Sequence, residues 1–458
     1  MQPETNWANE EMQSLNLGDE RLNNRACKII SDLSQNPTAS IPEFCGDRAA
    51  TQAAYNFLSY KHLDDQAILA AQRQATLDRI EQGEYKLVLA LQDTTEFNYS
   101  HHRATSGLGP LDHPKYQGFF THTTLAVTPE GLPLGVLAQE SWVRDEPQPE
   151  HKQARAARPI EEKESYKWFK GLDQGVADFP AGVSLLSVSD QESDIFEYFA
   201  HPRPAQVDLL VRAWRERQLD DEVGSLHSTV KASPVRGLID LEVKATPKRM
   251  GRIARCQIYH KKIKLKPPQK RPGLPPDLKP VTLWAVLIRE ITPPDGEDAI
   301  EWLLLTTRQI ADFEQACQLI EFYARRWIIE RFHFVLKSGC ALEQRQLKAE
   351  FRLERFLRLA NVVAWRLLWL TYLSRVNPDL SCTVALEDYE WQALYCFIHK
   401  TTALPAQPPT LQQALGWIAR LGGFLARKSD GQPGVKVLWR GWRRLFDIAQ
   451  SWLIFNTS

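Results

Sequence analysis

Residues 323–337 read YARRWIIERFHFVLK. At about 100° per residue, offsets of three, four and seven return to one helix face. With Tyr323 at zero, Arg326 falls at about −60°, Glu330 at about −20° and Lys337 at about −40°. All four polar groups then share a stripe about 60° wide. Trp327, Ile328, Ile329, Phe332, Phe334, Val335 and Leu336 fill the remaining faces and read as core. The plainer explanation is a solvated edge carrying an Arg326–Glu330 pair, worth a few tenths of a kcal/mol. The other is one wall of a site, and the choice depends on the rest of the chain.

Composition sets loose bounds. The chain has 458 residues, enough for two or three domains, and 43% hydrophobic residues with 14 Trp supply a large core. No apolar run reaches the ~20 residues of a membrane span. The first residues, MQPETNWANEEMQ, have neither the basic nor the apolar part of a signal peptide. The expectation is a soluble, cytoplasmic protein. The seven Cys form no C-x-x-C pair and have no His partner at zinc spacing, so they read as reduced, mostly buried thiols. His101 and His102, adjacent but without acids or Cys at ligand spacing, read as loop residues. Lys and Arg together number 56, equal to Asp and Glu, so global charge does not announce a polyanionic partner.

Charge distribution says more. Residues 231–271 hold 13 Lys and Arg against two acids, Asp240 and Glu242. Partial alternation in RIARCQIYHKKIKLK predicts strands with a basic face, either solvated or tracking phosphates. The Pro-rich stretch 266–280 reads as a loop, and VTLWAVLIREI and EWLLLTT as further strands. Residues 1 to about 70 and about 350 to 458 carry helical patterns, whereas the stretch between is mixed.

Two acids close apolar runs in that mixed region: Asp93 ends LVLALQD and Asp190 ends VSLLSVSD. An acid at a strand end is commonly a turn or helix cap, and QESDIFEYF after Asp190 favours that for Asp190. It is also where α/β enzymes build their sites. Two Asp on strands and Glu330 on a later helix are the donor set for a pair of hard divalent cations. Arg326 and Lys337 would then hold a phosphate backbone, and Tyr323 would donate to a phosphate oxygen.

The spacing Tyr-x2-Arg-x3-Glu-x6-Lys at 323, 326, 330 and 337 resembles the YREK signature of the bacterial IS-four family of DDE transposases. The likeness runs along most of the chain, through LGDERLNNR, DTT at 93–95, EKESYKW at 162–168, SDQESD at 189–194, EITPPDGEDAIEWLLLTT at 290–307 and IARLGGFLARKSDG at 418–431. The stretch 381–410 departs from the family pattern.

The resemblance implies an α/β fold with an RNase H-like catalytic core over 71–365 and a β-rich insertion at about 236–308. It implies an N-terminal helical domain over 1–70 that binds transposon-end DNA, and a C-terminal helical domain over 366–458 that forms the homodimer of a synaptic complex. The catalytic and metal-binding residues carried over are Asp93, Asp190 and Glu330, with two Mg2+ ions for which Mn2+ substitutes. Tyr323, Arg326, Lys337, Arg212, Arg21 and Arg25 carry over as DNA contacts, and Trp302 as the stacking partner of a flipped base. Cut-and-paste transposition through a hairpin intermediate, followed by strand transfer into target DNA, is the implied activity. A non-mobile DNA-binding relative and a two-metal nuclease without strand transfer are the rival readings.

Overall fold

The computed structural model describes residues 7–145, 157–220, 224–243, 250–268, 278–427 and 430–456. Parts of the basic block and its Pro-rich continuation, at 244–249 and 269–277, lie outside the described residues, as do Lys428 and Ser429 of the IARLGGFLARKSDG stretch.

Helices come first: α1 (Trp7–Glu11), α2 (Glu20–Gln35), α3 (Ile41–Cys45), α4 (Arg48–Ser59) and α5 (Gln66–Gln82). Strands β1 (Leu87–Asn98), β2 (Gly109–Pro110), β3 (Gln117–Val127) and β4 (Pro133–Trp142) follow. Then come α6 (Lys167–Val176), β5 (Ser184–Ser189), α7 (Phe196–Ala200), β6 (Val207–Arg212) and α8 (Leu226–Lys231). Strands β7 (Gly237–Val243), β8 (Arg252–Leu265), β9 (Val281–Glu290) and β10 (Glu301–Thr306) lead to α9 (Phe313–Ala324) and α10 (Trp327–Phe334). The C-terminal part holds α11 (Glu350–Val376), α12 (Asp388–His399), α13 (Leu411–Leu421) and α14 (Val435–Asn456). The fold is thus mixed α/β, with helices toward both ends of the chain and a mixed sheet between, as an RNase H-like core with flanking helical domains requires. Among the described residues, no helix is long and apolar enough to cross a membrane.

The chain divides into two compact units. One comprises residues 85–93 and 147–327. In it β1, β5 and β6 run parallel, and β10, β9, β8 and β7 continue the sheet antiparallel. Val88, Leu89, Leu91, Leu185, Leu186, Val188, Leu209, Leu210 and Val211 are all buried, which is why these strands read as continuous apolar runs without alternation. β10 pairs with β6, so the basic insertion extends the core sheet directly. Its cations are partly neutralised. Arg252 bonds Glu290 at 2.9 Å and also Glu297, and Lys264 lies 3.0 Å from Asp220.

The other unit comprises residues 1–84, 94–146 and 328–458. Its axis is α11, buried over most of its circumference from Leu353 to Ser374. Three arginines tie neighbouring segments to their surroundings. Arg79 grips Glu11 at 2.6 and 3.0 Å and stacks on Trp365. Arg355 donates to the carbonyls of Leu58 and Tyr60. Arg345 donates to Pro37, Ala39 and Cys340. α13 and α14 meet at bare backbone, because a Cβ on Gly441 would stand 1.7 Å from the Ile418 carbonyl oxygen.

Glu350, in the first turn of α11, has its pKa raised to about 7, chiefly by burial and then by the Glu354 carboxylate. A carboxyl raised in the folded state favours folding below its unfolded pKa, and that contribution disappears as pH climbs through the folded value. Stability is therefore expected to fall between about pH 4.5 and 7. Glu350→Gln should flatten that slope and stabilise the protein by about 1–2 kcal/mol at pH 8, screening included. Denaturant melts of both proteins across pH check this, and parallel curves would refute it.

The segment 323–337 is not the single helix its periodicity predicts. α9 ends at Ala324, where the Arg325 N–H is shared between the Glu321, Phe322 and Tyr323 carbonyls. α10 ends at Phe334, and Val335–Gly339 forms a π turn closed by the Cys340 N–H on the Val335 carbonyl at 2.7 Å. The wider turn removes the ideal 100° step before Lys337. Trp327, expected in the core, is 60% exposed. It lies just past the tight turn at 325–326, where helical phase is lost.

Candidate active site

β1 and β5 run parallel with Leu91 opposite Val188. Two residues farther along each strand, Asp93 comes level with Asp190. β5 and β6 are parallel with Ser189 opposite Val211, so one more step sets Arg212 beside Asp190. Adjacent strands lie about 4.8 Å apart. Asp93, Asp190 and Arg212 therefore lie just where the parallel pairing of the three strands stops, although β1 itself does not end at Asp93 but runs on to Asn98. Open α/β sheets place ligands at the carboxyl ends of such strands. A buried polar trio fixes this register. Gln92 Nε2 donates to Ser187 Oγ at 2.8 Å and to the Tyr198 hydroxyl at 3.0 Å, and Ser187 and Tyr198 bond at 3.1 Å. Burial pushes the Tyr198 phenol up to about 12, so it stays a neutral hydrogen-bonding group.

Asp190 does cap the turn that follows it. The Glu192 N–H donates to Asp190 Oδ1 at 2.9 Å and opens the 3-10 turn Gln191–Ser193. That bond uses one of two oxygens, so capping does not exclude a second task. Burial is the main cause of a raised Asp190 pKa. The Glu192 N–H opposes it, the Glu192 and Asp93 carboxylates add to it, and Arg326 opposes it. Arg326 Nη1 stands 3.8 Å from Asp93 Oδ1, with both side chains largely buried. The edge is thus a carboxylate pair with a guanidinium as counter-charge.

The last turn of α9 delivers Tyr323, which is buried and whose phenol is raised by desolvation against the pull of Arg326 and Arg212. Its ring meets Trp302 edge-on, with centroids 5.7 Å apart at 65°. Trp302 lies in β10 opposite Ile288 and is half-buried. Asp93, Asp190, Arg212, Trp302, Tyr323 and Arg326 all belong to one unit.

The remaining predicted residues belong to the other unit. Glu330 is half-buried in the first turn of α10. Lys337 sits in the π turn with Nζ 5.7 Å from the Phe97 ring centre. Arg21 and Arg25 lie on α2, whose other face buries Ala26, Cys27, Ile29, Ile30 and Leu33. His102 packs edge-on against Tyr99 at 5.3 Å, in keeping with a loop residue.

Sequence reading missed two features. Lys337 lines a cleft with Lys436, Arg440, Arg443 and Arg444, the basic residues of VKVLWRGWRRL on α14. Their i, i+4, i+7 and i+8 spacing was visible, but the partner residue 337 lies about a hundred positions away. Asp194, last residue of SDQESD, is fully buried and clamps the loop after β6.

Among the described residues, no group of three or more His, Cys, Asp or Glu is arranged to hold a metal ion. The pair Asp93 and Asp190 nonetheless has the chemistry of a Mg2+ ligand set, since that ion takes only one or two protein carboxylates and keeps its remaining waters. Their mutual repulsion, visible in the Asp190 pKa, is what a cation would relieve.

Two family models match. One, described as transposase DNA-binding, covers residues 4–63, the helices α1 to α4 and the residues just after them. The other, described as the transposase Tn5 dimerisation domain, covers residues 362–451, from within α11 to within α14, and spans the stretch 381–410 that departs from the family pattern. Such segments support DNA and a second copy of the chain as partners. With DNA-binding and dimerisation segments toward its two ends and a mixed α/β core between, the matches support a Tn5-like transposase of the IS4 family.

Proposed function

We propose that this transposase works by cut and paste. It hydrolyses the phosphodiester at each transposon end, forms a hairpin by attack of the freed 3′-OH on the opposite strand, reopens the hairpin with water, and joins the 3′-OH to target DNA. The observation that carries this reading is the neighbouring carboxylates Asp93 and Asp190, two residues past the last pair of parallel β1 and β5, with Arg326 3.8 Å from Asp93. Four successive in-line displacements at phosphorus can share one site, because each needs the same positioning and charge neutralisation.

Asp93, Asp190 and Glu330 would hold Mg2+, or Mn2+ in its place. When bound, divalent ions lower the pKa of water and neutralise charge on the attacking and leaving oxygens. The chain's own groups do the rest. Arg326, Arg212 and Lys337 hold phosphates beside the reacting bond, and Tyr323 donates a hydrogen bond to a phosphate oxygen. Arg21 and Arg25 on α2 read the transposon end within 1–70, residues 71–365 carry the chemistry, and residues 366–458 pair two protomers. The dimerisation match favours this over a plain nuclease, which has no need to hold two ends together.

Trp302 separates the steps. Hairpin formation folds one strand onto its partner and unstacks bases at the bend, which costs a few kcal/mol. An indole face recovers about 1–3 kcal/mol of that. Trp302→Ala should leave the first nick at its normal rate and slow the hairpin step ~10- to 100-fold, whereas Trp302→Phe should keep much of the rate. A labelled end duplex resolved on a denaturing gel over time reads both products. Equal loss of nick and hairpin would mean a folding defect, and no loss of either would refute the stacking role.

A further inference from the structure

Trp214 is 70% exposed, whereas Trp168, Phe169, Phe196, Tyr198 and Phe199 of its unit are buried. It follows β6 by two residues, and its backbone is fixed by an unusual device. The fully buried Asp194 carboxylate accepts from the Trp214 N–H at 2.9 Å and the Arg215 N–H at 2.8 Å through Oδ2. Arg217 closes the clamp, with Nη2 2.5 Å and Nε 3.1 Å from Asp194 Oδ1 and a further bond to the Asp194 carbonyl. An ion pair of this burial holds the loop in one conformation and presents the indole with little left to order.

The register says where it is presented. Arg212 lies opposite Leu304, and the Ala213 N–H donates to the Leu303 carbonyl at 2.7 Å. Continued past that bond, the register of β6 and β10 would oppose Trp214 to Trp302, with Trp214 itself two residues beyond β6. Residues directly opposed on antiparallel strands share a face, with Cβ atoms about 5 Å apart. Counted across the sheet at ideal strand spacing, Asp93 and Asp190 lie within roughly 12 Å of Trp214 by Cα spacing. Arg212 and Arg215 flank the indole in sequence.

We infer that Trp214 is a second stacking surface, beside Trp302, for an unpaired nucleobase of single-stranded DNA. The backbone of that strand runs along Arg212 and Arg215. This rests on reading Trp302 as a base-stacking residue, but it makes a separate statement about strand binding without chemistry. The buried Asp194–Arg217 pair explains why the last acid of SDQESD is an Asp: its task is to fix the platform.

The test uses the full chain in EDTA, so that cleavage cannot contribute. Binding of a fluorescein-labelled oligothymidylate is measured by anisotropy, and quenching is followed in a strand carrying 2-aminopurine. Trp214→Ala should weaken single-strand binding ~10- to 100-fold and relieve the quenching, with Trp214→Phe between the two. Duplex transposon-end binding should be unchanged in both variants. Asp194→Asn should give a smaller loss of the same sign, and Trp214→Ala, altering an exposed side chain, melts like the parent. Equal single-strand affinity in parent and Trp214→Ala overturns the inference, as does unchanged quenching. Loss of strand joining with single-strand binding intact would count against the transposase mechanism and leave this inference standing.

Discussion

Asp190→Asn should bind transposon-end DNA as tightly as the parent and cleave it at least ~10³-fold more slowly, as expected when about 4 kcal/mol of transition-state stabilisation is lost. The substitution is chosen because Asp190 has two tasks. As a cap it needs one neutral acceptor for the Glu192 N–H, and an Asn carbonyl oxygen serves equally well. As half of the carboxylate pair it needs a charge, which Asn lacks. Asp190→Asn therefore keeps the local fold and removes the chemistry. Single-turnover cleavage of a labelled end duplex, beside a gel-shift titration, measures both. Cleavage at the parent rate would reduce Asp190 to a cap, and loss of binding together with cleavage would point to a disturbed loop. Asp93→Asn should behave in the same way, with the further effect of releasing Arg326 from its neighbour.

Arg345→Met should cost about 3–5 kcal/mol of stability and lower the melting temperature of its unit by about 6–20 °C. Arg345 is 3% exposed, its pKa is lowered to about 10 by burial, and its guanidinium lies 4.6 Å from the Phe356 ring centre. What matters more is what it satisfies: the carbonyls of Pro37 and Cys340, at 2.7 and 2.6 Å, and that of Ala39. A thioether of similar length fills the space and leaves those acceptors without donors, each costing about 1–3 kcal/mol if water cannot enter. Because Pro37 and Ala39 follow α2, the variant should also expose amides 36–41 to hydrogen exchange before the rest of the chain. An unchanged melt would show that water replaces the guanidinium at no cost.

Much of the architecture was legible because it depends on short-range pattern. LVLALQD, SLLSVS and VDLLVR are apolar on both faces, which only a covered parallel strand accommodates, and each appears as one. GDERLNNRACKIISDLSQ announces its helix by Asp19, whose side chain accepts from the Arg21 N–H. The position of Asp190 directly after β5 was readable for the same reason, whereas β1 does not stop at Asp93 but runs on to Asn98. What failed was the extrapolation of one helical period across 323–337. A tight turn at 325–326 and a π turn at 335–339 depend on backbone bonding that side-chain periodicity does not record. The basic block was legible only as a count. Its excess of Lys and Arg is real, but the partners Glu290, Glu297 and Asp220 lie tens of residues away and become neighbours only when the strands pair. Asp194 and Trp214 escaped notice because a clamp between residues 20 positions apart leaves no local signature.

The central claim is that one site both cuts and joins DNA. The purified chain should be incubated with Mg2+, a donor plasmid carrying the DNA that flanks its own gene, and an unrelated target plasmid, and the products sequenced at every new end. The expected result is covalent joints between the donor's 3′ ends and target DNA, absent without Mg2+ and absent from Asp190→Asn. Cut ends that are never joined, or cleavage indifferent to the flanking sequence, would contradict it and leave a nuclease.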